Sequence, residues 1–561
     1  MNKKMMISWM LLIILLISFV APLGSSLKIH TKTIKEPFIE TKGVNGNTFN
    51  LPSSFSWRDI NGIDFTTPIR NQAPFHSCET FALVGAVETM VQYEVGYPFG
   101  CDLSEAHLFF YSGGNLDWGS YPENNTRFLQ EYGIPDEACW PYPRQLFQYP
   151  LNTTSPDWQN RTVRIMNWSY LPEDPVAIKN ALVTNGPVPT YFTVYMDFIT
   201  HKRGIYKHKW GKLIGPHYVT IVGYNDEPGY WIVKNSWGTE YQDNGWFKIK
   251  YGECSIEKKS FYLTGVYGNF PIIYVDDDNI IGPWDGTIEY PYQYIQNGID
   301  NAYEGYTVFV RNGTYYENVL INKTINLDGE NKTNTIIDGS GSEHVIVISA
   351  SNVRVSGFSI QHSGNKLFNA GIKTLTLDSN VTICNNIIQE NDIGVFLNYA
   401  YPESWNIVKG NIIQNNRDGI YSHWANNNFI TENIIQNNSD DGIEMECSQV
   451  STISGNIING NGECGIYLRA ASNDNVIREK NTIEQNAIGI NLDNSNKNII
   501  AKNNFIDNQD QAHFSNSYLT LWHKNYWSDW VRFIPKPIKG HIGLRGFPWL
   551  NFDWISSRHP H

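Results

Sequence analysis

Cys78, His217 and Asn235 stand far apart in this sequence, yet as a set they fit one reaction. A thiol attacks a carbonyl carbon as the thiolate, so it needs an imidazole to take its proton. That imidazole in turn needs a hydrogen-bond acceptor to fix its tautomer. Cys78 follows a Pro-containing loop and opens an apolar pattern, Phe81, Val84, Val87 and Val91, that recurs at helical spacing. A helix N-terminus carries partial positive charge and free N–H groups, which favour the thiolate there. His217 lies in GPHYVTIVGY, which alternates like a strand, and Asn235 starts a turn after the strand-like YWIVK. A lone Cys78 reads as a buried structural thiol. The three residues together read as nucleophile, base and orienting acceptor.

The segments around them resemble the papain family of cysteine peptidases over residues 51 to 267. LPSSFSWRDI resembles the entry segment of the mature enzymes, and IRNQ followed by SC resembles the loop before the nucleophile. LSEAHLFFYSGG, GIPDEACWPYP, NGPVPTYFTVYMDFITHKRGIY and NSWG follow in the family's order. The resemblance implies an α+β papain-like fold, one half helical and one half barrel-like, and a hydrolase acting on protein or peptide substrates. It also implies roles. Gln72, six residues before Cys78, would join the Cys78 N–H in binding the oxyanion; His217 would be base and then acid; Asn235 would orient it. Trp237 would shield that hydrogen bond beside the substrate, and Gly113 with Gly114 would let a substrate backbone lie alongside.

Three departures accompany the resemblance. Where the family has a tryptophan after the nucleophile, this chain has Glu79, whose charge disfavours a neighbouring thiolate. Glu79 therefore points away, or reshapes the cleft, or marks a weakened enzyme, and retention of all four catalytic positions favours the first two. Phe75 and Ser112 stand where the cleft disulfide would be, which leaves Cys101 and Cys139 as the candidate disulfide, with Cys254 an alternative partner for either. Residues 28 to 50 form a short linker without the helical periodicity of a propeptide.

Residues 1 to 27 carry Lys3 and Lys4, an apolar run and then small residues, as a secretory signal does. The run is also close to the length that spans a bilayer, so an N-terminal anchor stays open as the alternative. Either way the remainder is expected to be secreted or extracytoplasmic, with membrane contact only if this segment is uncleaved. The net charge of −13, with 42 Lys+Arg against 55 Asp+Glu, argues against nucleic acid as a partner.

Beyond residue 268 the composition shifts. An asparagine before mostly apolar pairs recurs at Asn386, Asn411, Asn433, Asn456, Asn481 and Asn504, and Gly-Ile or Gly-Val pairs keep phase with it at Gly394, Gly419, Gly442, Gly465 and Gly489. Two signals in phase at 22 to 25 residues indicate a solenoid, with asparagines stacked at the corners in positions that tolerate left-handed backbone. The repeats resemble right-handed parallel β-helices of the pectin-lyase-like class and the periplasmic copper-associated family. An all-β helix is thus expected over 268 to 520, with an aromatic cap over 521 to 561. Asp418, Asp441, Glu444 and Glu446 are its densest acidic cluster, two of them beside turn glycines where Asp is a good turn former. Binding of a polysaccharide, a cell surface or a partner protein is favoured there over catalysis. His523 has no second histidine at ligand spacing, so no metal is assigned, and no cofactor is called for. The whole reads as a secreted cysteine peptidase with a binding β-helix. Its rivals are a peptidase-shaped binding protein and a carbohydrate-active β-helix with an accessory peptidase.

Overall fold

The computed structural model describes residues 51–143, 158–375, 380–398, 405–530, 534–543 and 546–561. The signal or anchor and the linker expected over residues 1 to 50 lie outside them. Among the described residues no helix is long and apolar enough to cross a membrane.

Helix α1, Cys78–Val95, begins at the cysteine as its apolar spacing predicts. It is buried along its length from Thr80 to Gln92, and so its polar residues need partners inside. Thr80 and Thr89 donate to the carbonyls of Ser77 and Gly85, and Gln92 donates to Phe65 O at 2.7 Å while accepting from the N–H groups of Gly100 and Cys101. Gly96 ends the helix at φ +80°, a left-handed conformation that glycine adopts without strain. Helices α2, Glu105–Tyr111, and α3, Pro122–Glu131, pack beside α1. Opposite lies a six-stranded sheet that includes β1, Val188–Tyr195, the long β2, Leu213–Asn225, β3, Tyr230–Lys234, and β4, Trp246–Lys250. Strand β2 touches α1 directly, Thr220 donating to Ala82 O at 2.8 Å, so the strand carrying His217 is fixed to the helix carrying Cys78.

The second half is a parallel solenoid of about ten turns whose three faces are sheets of 11, 10 and 11 strands. Most of its strands are three to six residues long, with an Ile, Val or Leu turned inward in register with the next coil, as in Ile383, Val408, Ile430 and Ile453. The asparagines stack as expected. Asn433 donates to Asn456 Oδ1 at 3.0 Å and to Val408 O at 2.8 Å, and accepts from Asn411. Two details differ from the sequence expectation. Beyond Asn481 the corner is held by Asn503, not Asn504, since Asn481 donates to Asn503 Oδ1 at 2.8 Å and Asn503 to Asn525. The left-handed residue is the one before the ladder asparagine, as at Asn385 (φ +54°) and Glu432 (φ +57°). The glycines are required by close approach, because a Cβ on Gly419 would come within 2.4 Å of Gly442 O.

Both ends of the solenoid are closed. The short helix Ile295–Asn301 buries Ile295 and Ile299 against the first coils. At the far end Trp522, Phe505 and Trp527 fill the core, and Asp553 takes the place of a next asparagine by accepting from Asn525 and Trp527.

The two halves share apolar packing. In β5, Ile272–Val275, Ile273 and Val275 enter the solenoid core, whereas Ile272 and Tyr274 join Val91 and Phe99 in the peptidase-like half. Phe309 of β6, Thr307–Val310, meets Tyr97 with ring centroids 4.5 Å apart. Arg161 makes a bidentate, buried pair with Asp136 and donates to Glu304 O at 2.8 Å across the junction.

Substituting Asn433 by alanine leaves Val408 O and the Asn411 N–H without their buried partner, an expected loss of about 3 kcal/mol. The check is a lowered melting temperature of the full chain by calorimetry, and an unchanged melting profile would contradict the ladder's role.

Candidate functional site

Cys78 is the first residue of α1, and a cleft of about 470 Å³ in front of it is lined by Gln72, Glu79, Asp117, Trp118, His217 and Trp237 among others. The loop before the helix is held by backbone bonds to the segment that follows β3. Gln72 N–H donates to Ser236 O at 2.9 Å, and Gly238 N–H to Arg70 O at 3.0 Å. Those bonds set Gln72 beside Asn235 and Trp237. Ser236 also donates its hydroxyl to Gln72 Oε1 at 2.7 Å, which fixes the amide and leaves its NH₂ as the donor, 3.3 Å from Phe75 O.

His217 is buried, and its Nε2 lies 2.8 Å from Asn235 Oδ1. With Nε2 held as the donor, Nδ1 is the nitrogen left to take a proton. Asn235 is held in turn, donating to Gln242 Oε1 at 3.2 Å and accepting from Ser236 N–H at 2.8 Å. Trp237 lies over the His217 ring at 4.7 Å between centroids and 29° between planes. Burial lowers the His217 pKa to about 4, partly offset by the bond to Asn235. The imidazole is therefore neutral at pH 7.

The thiol of Cys78 points at Glu79, with Sγ 3.4 Å from Oε2. The expectation that Glu79 points away fails here. The first turn of α1 aims both side chains into the cleft, where the Ser120 backbone N–H favours the carboxylate. Burial pushes the Cys78 thiol well up, and the Glu79 charge pushes it further, against the lowering effect of the Tyr218 N–H. Burial likewise raises Glu79 to about 7. In this arrangement sulfur and imidazole both rest neutral.

The glycine pair can be placed, and one further expectation, the disulfide, needs correction. Gly113 and Gly114 follow α2 directly. There Gly113 at φ +90° turns the chain, Gly114 N–H bonds to Phe109 O at 2.8 Å, and a Cβ on Gly114 would sit 2.5 Å from that oxygen. The cleft is lined by Asp117 and Trp118, and Gly119 after them, at φ +97°, has no room for a side chain against His76 O. Its signal in the sequence is the third glycine after α2, directly before Ser120. Cys101 and Cys139 are not joined by a disulfide, and both side chains are buried. Cys101 packs into the apolar core against α1, while Cys139 sits in the turn where its N–H bonds to Asp136. Cys254, the alternative partner, is joined to neither.

On the solenoid, Asp418, Asp441 and Glu444 bring carboxylate oxygens within 4.8 Å of one another. Arg417 pairs with Asp418 at 2.5 Å, and Arg469 pairs with Glu444 and, at 3.0 Å, with Glu446. Burial raises Asp418 to about 7 and Asp441 to about 8, so the cluster is largely neutralised from within.

Residues 51–264 match the model of the papain family cysteine proteases, and residues 299–532 match that of the periplasmic copper-binding protein NosD. Cathepsin B-like CP3 of Giardia intestinalis is 32% identical over 210 residues, covering 33% of this chain and 64% of that protein. Cathepsin B-like CP2 of the same organism is 30% identical over 200 residues, with the same coverages of 33% and 64%. The chain thus spans 64% of the length of both relatives. Among solved structures, the bromelain protease from Ananas comosus in complex with the E64 inhibitor is 25% identical, covering 38% of this chain and 99% of that one at a TM-score of 0.32. The donors for a copper ion do not fit. Among the described residues the close ligand clusters are wholly carboxylate, whereas copper prefers imidazole and sulfur.

Replacing Glu79 by glutamine removes the charge that opposes thiol ionisation. The pH profile of Cys78 alkylation by iodoacetamide is expected to move to lower pH in this variant, and an unmoved profile would mean that the carboxylate does not govern the thiol.

Proposed function

With a papain-family domain over residues 51–264 and a NosD-type β-helix over residues 299–532, we propose that this chain is an extracytoplasmic cysteine peptidase that cuts protein or peptide substrates through Cys78, His217 and Asn235. The observation that carries the reading is the 2.8 Å bond from His217 Nε2 to Asn235 Oδ1, roofed by Trp237 on the cleft that Cys78 opens into. It leaves the imidazole with a single basic nitrogen.

The chemistry follows from the atoms. Sγ attacks the scissile carbonyl carbon while its proton passes to His217 Nδ1. The carbonyl oxygen becomes an oxyanion between the Cys78 N–H and the Gln72 amide. His217 then gives the proton to the leaving amine, the C–N bond breaks, and a thioester remains. Water attacks that thioester, His217 taking its proton and returning it to sulfur as the acid product leaves. Neutral partners at rest suit this order, because the proton moves as the S–C bond forms.

A second reading, a peptidase-shaped binding protein, is favoured by the Glu79 carboxylate on the thiol. The β-helix serves binding in either case. Its third sheet carries Glu446, Tyr467 and Arg469 half-buried on adjoining coils, a polar and aromatic strip suited to a polysaccharide or cell-surface ligand. Membrane contact belongs to this scheme only through residues 1 to 27.

The secreted chain is expected to cleave denatured protein under reducing conditions and to take up an epoxide thiol inhibitor at Cys78. Both properties should vanish in Cys78→Ala, and hydrolysis that survives this change refutes the assignment. Gln72→Ala is expected to lower kcat about 100-fold with the label retained, read by steady-state kinetics on a fluorogenic peptide. A wild-type chain that neither cuts nor labels supports the binding protein.

A further inference from the structure

Glu79 is a half-buried carboxylate on the cleft surface, and among the described residues it has no cationic partner. Its contacts are the Cys78 thiol, at 3.4 Å, and backbone N–H groups, its own and that of Ser120. A carboxylate in such surroundings is costly to charge, and a guanidinium or ammonium group brought beside it removes much of that cost. Among the described residues no lysine or arginine lines the cleft. A second carboxylate, Asp117, lines the same cleft. A groove lined by one sign of charge draws in the opposite sign. The way to Glu79 is also kept open by Gly119, where a Cβ would stand 3.5 Å from Oε2.

We propose that Glu79 is a substrate-recognising residue, whose carboxylate takes an arginine or lysine side chain of the peptide close to the scissile bond. The placement of the carboxylate against Sγ gives the contact a second effect. A cation on Glu79 cancels the negative charge that opposes ionisation of Cys78, so the thiol becomes reactive when a basic substrate is seated. Recognition and activation then act through one side chain. The raised pKa of the free carboxyl, about 7, agrees with a group that lacks its counter-charge in the absence of substrate.

The turnover half of this inference rests on the peptidase reading, whereas the binding half does not, and the experiment keeps them apart. A series of fluorogenic peptides moves one arginine, or its neutral isostere citrulline, through the positions flanking the scissile bond. In the wild-type chain the arginine peptide is expected to exceed the citrulline peptide in kcat/KM by about tenfold or more at one position. In Glu79→Gln that ratio should fall close to one. The same peptide pair is titrated by fluorescence anisotropy against Cys78→Ala and against Cys78→Ala with Glu79→Gln, neither of which needs turnover. An arginine preference in the first that is lost in the second supports the inference even if the wild-type chain cuts nothing, in which case only the peptidase reading falls. Equal binding of both peptides by Cys78→Ala, or a preference that survives removal of the Glu79 charge, overturns it.

Discussion

The structure depends on one helix being enclosed. From Thr80 to Gln92 helix α1 has no wet face, and its polar side chains are spent on internal partners, the Thr67 hydroxyl and the Leu103 N–H to Glu88 among them. A helix held on every side cannot rotate or slide, so its first residue, Cys78, presents its sulfur in one place. The rest of the site is assembled against that fixed point. Strand β2 is tied to the helix through Thr220 and carries His217 four residues after its start, and the loop before the helix is laced to the segment beyond β3 that supplies Asn235 and Trp237. The acid–base geometry is thus a by-product of packing a buried helix against a long strand.

The placement of Glu79 follows from the same constraint. As second residue of the helix it has the direction of the first turn imposed on it, and that direction is the cleft. In water a carboxylate would turn outward. Here the backbone at Ser120 and the sulfur itself hold it, and both Glu79 and Cys78 have the raised pKa that buried acids show. The thiol and the imidazole are thus both neutral at rest, while Glu79, with a pKa of about 7, carries the charge at the centre.

Much of this was legible in the sequence, and the reasons differ by residue. Cys78, His217 and Asn235 could be set on a helix start, a strand and a turn after a strand from their own segments, whereas Gln72 was named only through the resemblance of its loop to the papain family. The solenoid was legible because the asparagine and glycine signals keep phase. What could not be read was direction and register at single positions. Nothing in CET says where the Glu79 side chain points. Gly113, Gly114 and Gly119 are close neighbours in sequence, and only the folded backbone shows that Gly119 packs against His76 O beside Glu79. Asn503 and Asn504 are adjacent and identical, so the repeat alone could not say which one stacks. The run IIYV at 272–275 is apolar on both alternating faces, which periodicity reads only as a buried strand. The structure supplies the reason: one face belongs to each half of the molecule.

That double-faced strand has a mechanical consequence. Since β5 is simultaneously the last layer of one core and the first rung of the other, no hinge separates the cleft from the stack. Parallel strands repeat at about 4.8 Å, so ten rungs amount to a spacer of roughly 50 Å projecting from the half that holds the cleft. Length in such an object is quantised. Gain or loss of one 22- to 25-residue rung by recombination would reset the reach of the distal end by a single strand spacing, while the cleft is left as it was.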